Sequence, residues 1–247
     1  MRGMKLADNI YVIGGGTLGY GISSPYDCNV YAIDGKDGVI LIDAGSGLGE
    51  NDLLNRLSEA GLAADRIMAL ILTHAHADHA GGAYGLKSRL GLPVLASELT
   101  ASIVESADEE RLSLPQARKA GTYPEWYRFP PCQIDRILRE NDIVDNGTFR
   151  FRVVPAPGHS SDMISLYDFD SRTLFSGDVI FESGKLAVIA TEDFSMEKYR
   201  STIQRFTEIE VNRLFPGHGA AVLEKAGDAI RKAHRRFELG NEPESIV

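Results

Sequence analysis

The chain predicts an α/β fold, two mixed sheets packed face to face with helices on the outside. Three observations carry this. Short β-rich runs alternate with amphipathic helical stretches along nearly the whole length. The run "RIMALILT" is continuously apolar and short, as suits a strand buried on both faces. The chain also divides into two comparable halves. Each holds a hairpin whose last strand runs into an acidic tip, "LIDAG" in the first and "FSGD" in the second, and each continues with helix and strand.

In order, "NIYVIGG" reads as a strand, and "NVYAIDGKDGVILIDAG" as a hairpin turning at "GKDG". "GENDLLNRLSEAGL" follows as an amphipathic helix, with Leu53, Leu54, Leu57 and Leu62 on one face and Gly61 at its end. After "RIMALILT", "GGAYGLKSRLG" reads as a helix and "LPVLAS" as a strand. Residues from about 98 to 140 form an insertion: "ELTASIVESADEERLSLPQARKAG" favours helix, and "TYPEWYRFPPCQIDRIL" is irregular and aromatic. The β pattern returns in "GTFRFRVVPAPGHSSDMISLYDFDSRTLFSGDVIF", with a polar turn at Asp170–Arg172. A helix ("SMEKYRSTIQRFTEI"), a strand ("VNRLF"), a loop ("PGHG") and a helix ("LEKAGDAIRKAHRRFEL") close the order, so residues 1–247 read as one domain.

The 247 residues are 43% apolar and 25% charged, an ordinary globular balance. The formal net charge of -9 repels polyanions, and no basic patch offsets it, so nucleic acid is not an expected partner. A small anionic substrate stays open. Cys28 and Cys132 form no CxxC pair and read as two free buried thiols in a reducing compartment. "MRGMKLADNIYVIGGG" has no apolar signal core, and no run reaches the roughly 18 residues of a membrane helix. The expectation is a cytoplasmic protein with no membrane partner; oligomeric state leaves no mark in the sequence. Gly14, Gly16 and Gly19 satisfy a G-x-G-x-x-G spacing, but no helical pattern follows to carry a pyrophosphate, so a dinucleotide site is not expected.

Of six histidines, three lie in "THAHADHAGG". His74 and His76, two apart at a strand end, can face one ion. Asp78 and His79, at the start of a turn, can face a second. Imidazole and carboxylate suit Zn²⁺ and similar metals, small alanines separate the ligands, and Gly81 and Gly82 let the backbone turn. His159, Asp178 and His218 all fall where a predicted strand enters a loop. His234, in a basic helix, reads as incidental.

His-x-His-x-Asp-His followed by Gly-His, Ser-Gly-Asp and Pro-Gly-His-Gly resembles the metallo-β-lactamase fold superfamily over nearly the whole chain. The resemblance implies a four-layer αβ/βα sandwich. It further implies one metal on His74, His76 and His159, a second on Asp78, His79 and His218, and Asp178 bridging both. Asp43, in "LIDAG", corresponds to a strand-end aspartate beside the ligands. It either accepts a ligand histidine's other N–H or caps the strand.

Departures from the family's branches narrow the substrate. True β-lactamases lack a bridging carboxylate where this chain has Asp178, and neither cysteine lies between His159 and His218. Lactonases carry a tyrosine where this chain has Phe181. Glyoxalase II resembles "GDVIF", but appends a long helical region, and only 29 residues follow His218 here. The expected activity is metal-dependent hydrolysis of an ester, thioester or lactone of a small molecule by a hydroxide bridging two divalent ions, most simply zinc, with iron or manganese as alternatives. Asp78 and Asp178 would orient that hydroxide. A phosphodiester fits less well. The rival from another class is a mononuclear iron persulfide dioxygenase using His74, His159 and Asp178.

The aromatic segment offers Tyr123, Trp126, Tyr127 and Phe129 as a lid over an apolar substrate group, or as packing. Phe181, Lys185 and Phe194 complete the candidate pocket, Lys185 either as partner of a substrate carboxylate or as a solvated turn residue.

Overall fold

The computed structural model describes residues 4–241 and 243–246. Two units separate by their internal contacts. The first runs to Leu138 and takes in Asn146–Thr148; the second comprises Arg139–Asp145 and the chain from Phe149 onward.

In the first unit, β1 (Met4–Ala7), β2 (Ile10–Gly14), β3 (Val30–Asp34) and β4 (Val39–Ile42) form an antiparallel meander. The β3–β4 hairpin closes at Gly35, whose N–H donates to the Gly38 carbonyl at 2.9 Å. Helix α1 (Glu50–Glu59) buries Leu53 and Leu57, one turn apart, against the sheet and carries the chain to β5 (Ile67–Ile71), parallel to β4. A single helical turn, α2 (Ala77–Ala80), precedes α3 (Ala83–Leu90), which buries Ala83 and Leu86 and stops at Gly91 in the left-handed region, φ 66°. β6 (Val94–Ser97) is parallel to β5. Ser97 then caps α4 (Glu98–Ser106) by accepting from Thr100 N at 3.1 Å.

The insertion continues through α5 (Leu114–Lys119) and ends in β7 (Arg136–Leu138), parallel to β6. The described residues thus give a mixed seven-stranded sheet in the order β1-β2-β3-β4-β5-β6-β7. β1 and β7 are not evident from sequence. β7 has three residues, its partner lies some forty residues upstream, and no local alternation marks it.

The second unit holds β8 (Ile143–Asp145), β9 (Arg150–Pro155), β10 (Ile164–Asp168), β11 (Thr173–Gly177) and β12 (Arg213–Pro216) in the order β12-β11-β10-β9-β8. All neighbours are antiparallel except β11 and β12. β8, like β7, is too short to announce itself. Helix α6 (Met196–Phe206) buries Tyr199, Ile203 and Phe206, spaced by one turn, and α7 (Gly227–Glu238) buries Ile230, Ala233 and Phe237. The last helix starts four residues later than its sequence pattern suggests. Val222 exchanges backbone hydrogen bonds with Leu214 on the edge of β12, and Lys225 sits at φ 57°, so residues 222–225 turn instead. Each sheet is mixed and flanked by helices, the expected α/β class. Among the described residues, no helix is long and apolar enough to cross a membrane.

Candidate metal centre

In the first unit the ligand types gather beyond the ends of β4 and β5. His74 and His76 lie in the loop after β5, not on the strand itself, and Asp78 and His79 sit on the helical turn α2 where a plain turn is expected from sequence. That turn forms because Ala80 N and His79 N both donate to the His76 carbonyl at 2.9 Å.

Asp43 organises this group. Its backbone holds φ 62°, and its N–H donates to Ile71 O at 2.9 Å, so its side chain turns back under the loop. Oδ2 accepts from His79 Nδ1 at 2.8 Å. Thr73 donates its N–H to Oδ1 at 2.8 Å and its hydroxyl to the same carboxylate at 2.9 Å. With that proton committed, the Thr73 oxygen accepts from His74 Nδ1 at 3.0 Å. Both imidazoles are thereby held as Nδ1–H tautomers with Nε2 carrying a lone pair. Thr73, which links Asp43 to His74, is not singled out by the sequence; its only signal is its place directly before the first histidine.

The nitrogens and oxygens so aimed lie at coordination spacing. Two donors at 2.0–2.1 Å from one ion are about 3.3 to 3.6 Å apart for angles from tetrahedral to 120°. His74 Nε2 and His76 Nδ1 are 3.2 Å apart, and His79 Nε2 and Asp78 Oδ2 are 3.5 Å apart. Cys28 is buried nearby and donates its backbone N–H to the Asp78 carbonyl at 3.2 Å; burial pushes its thiol far up. Cys132 is also a free, buried thiol, pushed up to about 11 by burial.

In the second unit His159, Asp178 and His218 follow β9, β11 and β12. Asp178 Oδ2 lies 3.6 Å from His159 Nε2 and 3.3 Å from His218 Nε2, so one carboxylate oxygen faces both imidazoles. His159 donates Nδ1–H to the Ala187 carbonyl at 3.0 Å, which again turns Nε2 toward the carboxylate. All three side chains are buried. His234 sits apart on α7, beside Glu238 at 3.8 Å. The donor set in each unit, imidazoles with fixed tautomers and carboxylates at polyhedron-edge distances, fits a divalent metal ion.

The substrate candidates distribute unevenly. Tyr127 and Phe129 are buried in the first unit, and the Tyr127 hydroxyl donates to Ser46 O at 2.7 Å. Tyr123 is half-buried in a stack between Tyr26 and Tyr127, with centroids 5.6 and 4.9 Å away; burial first, and then the nearby Asp78 charge, hold its phenol well above its ordinary range. Trp126 is 69% exposed and lines, with Tyr84 and Arg128, an open depression of about 240 Å³. Phe181 is buried, its ring 6.4 Å from that of His218. Lys185 and Phe194 are half-buried, and Phe194 packs edge-on against Tyr199.

Sheets of this order carrying two such His/Asp groups define a metal-dependent enzyme. The chain belongs to the metallo-beta-lactamase superfamily, whose family model matches residues 24–218, and it is a metallo-hydrolase. It is 28% identical over 205 residues to the acyl-coenzyme A thioesterase MBLAC2 of Gallus gallus, covering 77% of this chain and 72% of that protein. It is 30% identical over 181 residues to the hydroxyacylglutathione hydrolase GloC of Haemophilus influenzae, covering 72% and 75%. Among solved structures, a Cronobacter sakazakii metallo-β-lactamase with a HARLDQ motif shares the fold at a TM-score of 0.74, with 18% identity and 97% of each chain covered.

Proposed function

We propose that this enzyme hydrolyses the thioester of a small acyl compound, with oxygen esters as slower substrates. His74, His76 and His159 would hold one metal and Asp78, His79 and His218 a second, with Asp178 serving both sets and zinc as the ion. The observation that carries this reading is the position of Asp178 Oδ2, which faces the Nε2 atoms of His159 and His218, the two histidines assigned to different ions. When bound, two such ions lower the pKa of water to about 7 and polarise an acyl carbonyl.

The protein's own groups do the rest. Asp78 and Asp178 orient the attacking water and receive its proton. Asp43 and Thr73 keep His79 and His74 from turning, so the ligand nitrogens wait in place. A thioester suits the site because its thiolate, with an ordinary pKa of about 8.5, leaves without a dedicated acid. Relatives named for coenzyme A and glutathione thioesters support the substrate class. On the aromatic segment, Tyr123 and Trp126 face the acyl or carrier group, while Tyr127 and Phe129 hold the segment down.

The test is elemental analysis of protein purified without added metal, followed by kinetics on acyl thioesters of coenzyme A and glutathione. About two zinc per chain and saturable hydrolysis that chelation abolishes are expected. One iron per chain, with oxygen uptake on a thiol persulfide, would overturn the proposal.

A further inference from the structure

We propose that the Tyr199 hydroxyl is a positioning group that couples two ligands of the centre, Asp178 and His159. This rests on the ligand roles given above. Tyr199 is fully buried on α6. Its hydroxyl donates to the Asp178 backbone carbonyl at 2.6 Å and accepts from the Ala187 N–H at 3.1 Å. The Ala187 carbonyl in turn is the acceptor that fixes the His159 ring. A carbonyl can only accept and an amide N–H can only donate, so the phenol has one orientation that satisfies both.

The same face of α6 holds the other side of His159. Thr202 Oγ1 donates to Pro157 O at 2.7 Å, and the Ser195 N–H donates to Gly158 O at 2.8 Å. Gly158 has φ 151°, and a Cβ there would meet Tyr199 Cα at 2.5 Å. The first turns of α6 thus fix the residues that precede His159, while the Tyr199 hydroxyl fixes the strap behind its ring.

The segment around Ala187 has further anchors on either side, so loss of the Tyr199 hydroxyl alters the position of Ala187 without releasing the segment. Leu186 N donates to Glu244 O at 2.9 Å, Ile246 N to Leu186 O at 2.9 Å, and Val188 N to Ser245 Oγ at 3.1 Å. Tyr199→Phe therefore removes one hydroxyl from a segment braced elsewhere, and the variant is expected to fold.

The experiment compares the full-length enzyme with Tyr199→Phe and, as a packing control on the same buried face, Ile203→Val. Three quantities are read: thermal unfolding of the metal-free protein, zinc affinity by chelator competition, and the visible absorption of the cobalt-substituted protein. Tyr199→Phe is expected to weaken zinc binding about tenfold, the scale seen when groups behind a ligand are lost, and to change the cobalt bands. Ile203→Val is expected to lower the unfolding temperature while leaving affinity and spectrum unchanged. Unchanged zinc affinity and cobalt spectrum in Tyr199→Phe would overturn the proposal and leave Tyr199 a packing residue. No substrate enters these readouts, so they stand apart from the thioester assignment.

Discussion

The Asp43 carboxylate lies 2.8 Å from His79 Nδ1 and reaches His74 through the Thr73 hydroxyl, so one buried charge orients a ligand in each of the two proposed metal sets. The second unit solves the same problem without a charge, by presenting the Ala187 carbonyl to His159. A carboxylate binds an Nδ1–H more strongly than a neutral carbonyl does and makes the ring a better electron donor.

Asp43→Asn tests this directly. Asparagine tolerates the positive φ of 62° held at this position, so backbone strain stays small. Its amide offers one acceptor oxygen where three donors converge, and its NH₂ opposes one of them. Metal affinity, measured against a chelator, is expected to fall 10- to 100-fold. An unchanged affinity would reduce Asp43 to a strand cap.

Gly158→Ala is expected to destabilise the fold by at least about 2 kcal/mol, from an unfavourable φ and overpacking together. The intruding Cβ meets backbone at Tyr199, not the movable end of a side chain. Denaturant unfolding of the metal-free protein measures it; a loss under 0.5 kcal/mol would show that α6 shifts freely.

Two neighbours on the aromatic segment are expected to behave oppositely. Trp126→Ala, at a 69% exposed position, should raise KM for an apolar acyl thioester several-fold while leaving stability within about 0.5 kcal/mol. Tyr127→Phe leaves Ser46 O without its donor and should cost about 1 kcal/mol of stability, with little change in KM. Steady-state kinetics beside thermal unfolding separates them, and equal effects on both quantities would contradict the division.

The insertion should loosen in acid through Glu109. Arg118, donating at 2.8 Å, is the main reason this carboxyl lies below its ordinary range, and the Phe129 N–H adds to it. A depressed folded pKa contributes stability that is complete above the unfolded value of about 4.3 and is lost as pH falls through the folded one. The unfolding temperatures of the wild type and Glu109→Gln should therefore differ near pH 6 and converge once the pH has fallen well below the ordinary carboxylate range. A gap that persists at low pH would assign the effect to packing.

The candidate ligands stood out in the chain because they are scarce residue types in a distinctive order: His74, His76, Asp78, His79, His159, Asp178 and His218 each follow a strand or open a turn. The hairpins ending in Asp43 and Asp178 were readable for a similar reason, since turn chemistry and alternation act over a few neighbours. The edge strands β1, β7 and β8 were not, because their pairing depends on distant partners and their own length carries no period.

What the sequence determined by itself is the kind of chemistry: which side chains can bind a metal, and on which halves of the fold they fall. What only the tertiary structure decided is how those side chains are aimed. Thr73, Ala187 and Tyr199 act through hydrogen bonds to Asp43, His159 and Asp178 across separations of 30, 28 and 21 residues, and partly through backbone groups that every residue possesses. A hydrogen bond is directional over a few tenths of an ångström, and that geometry exists only once the chain has brought its acceptors behind the rings.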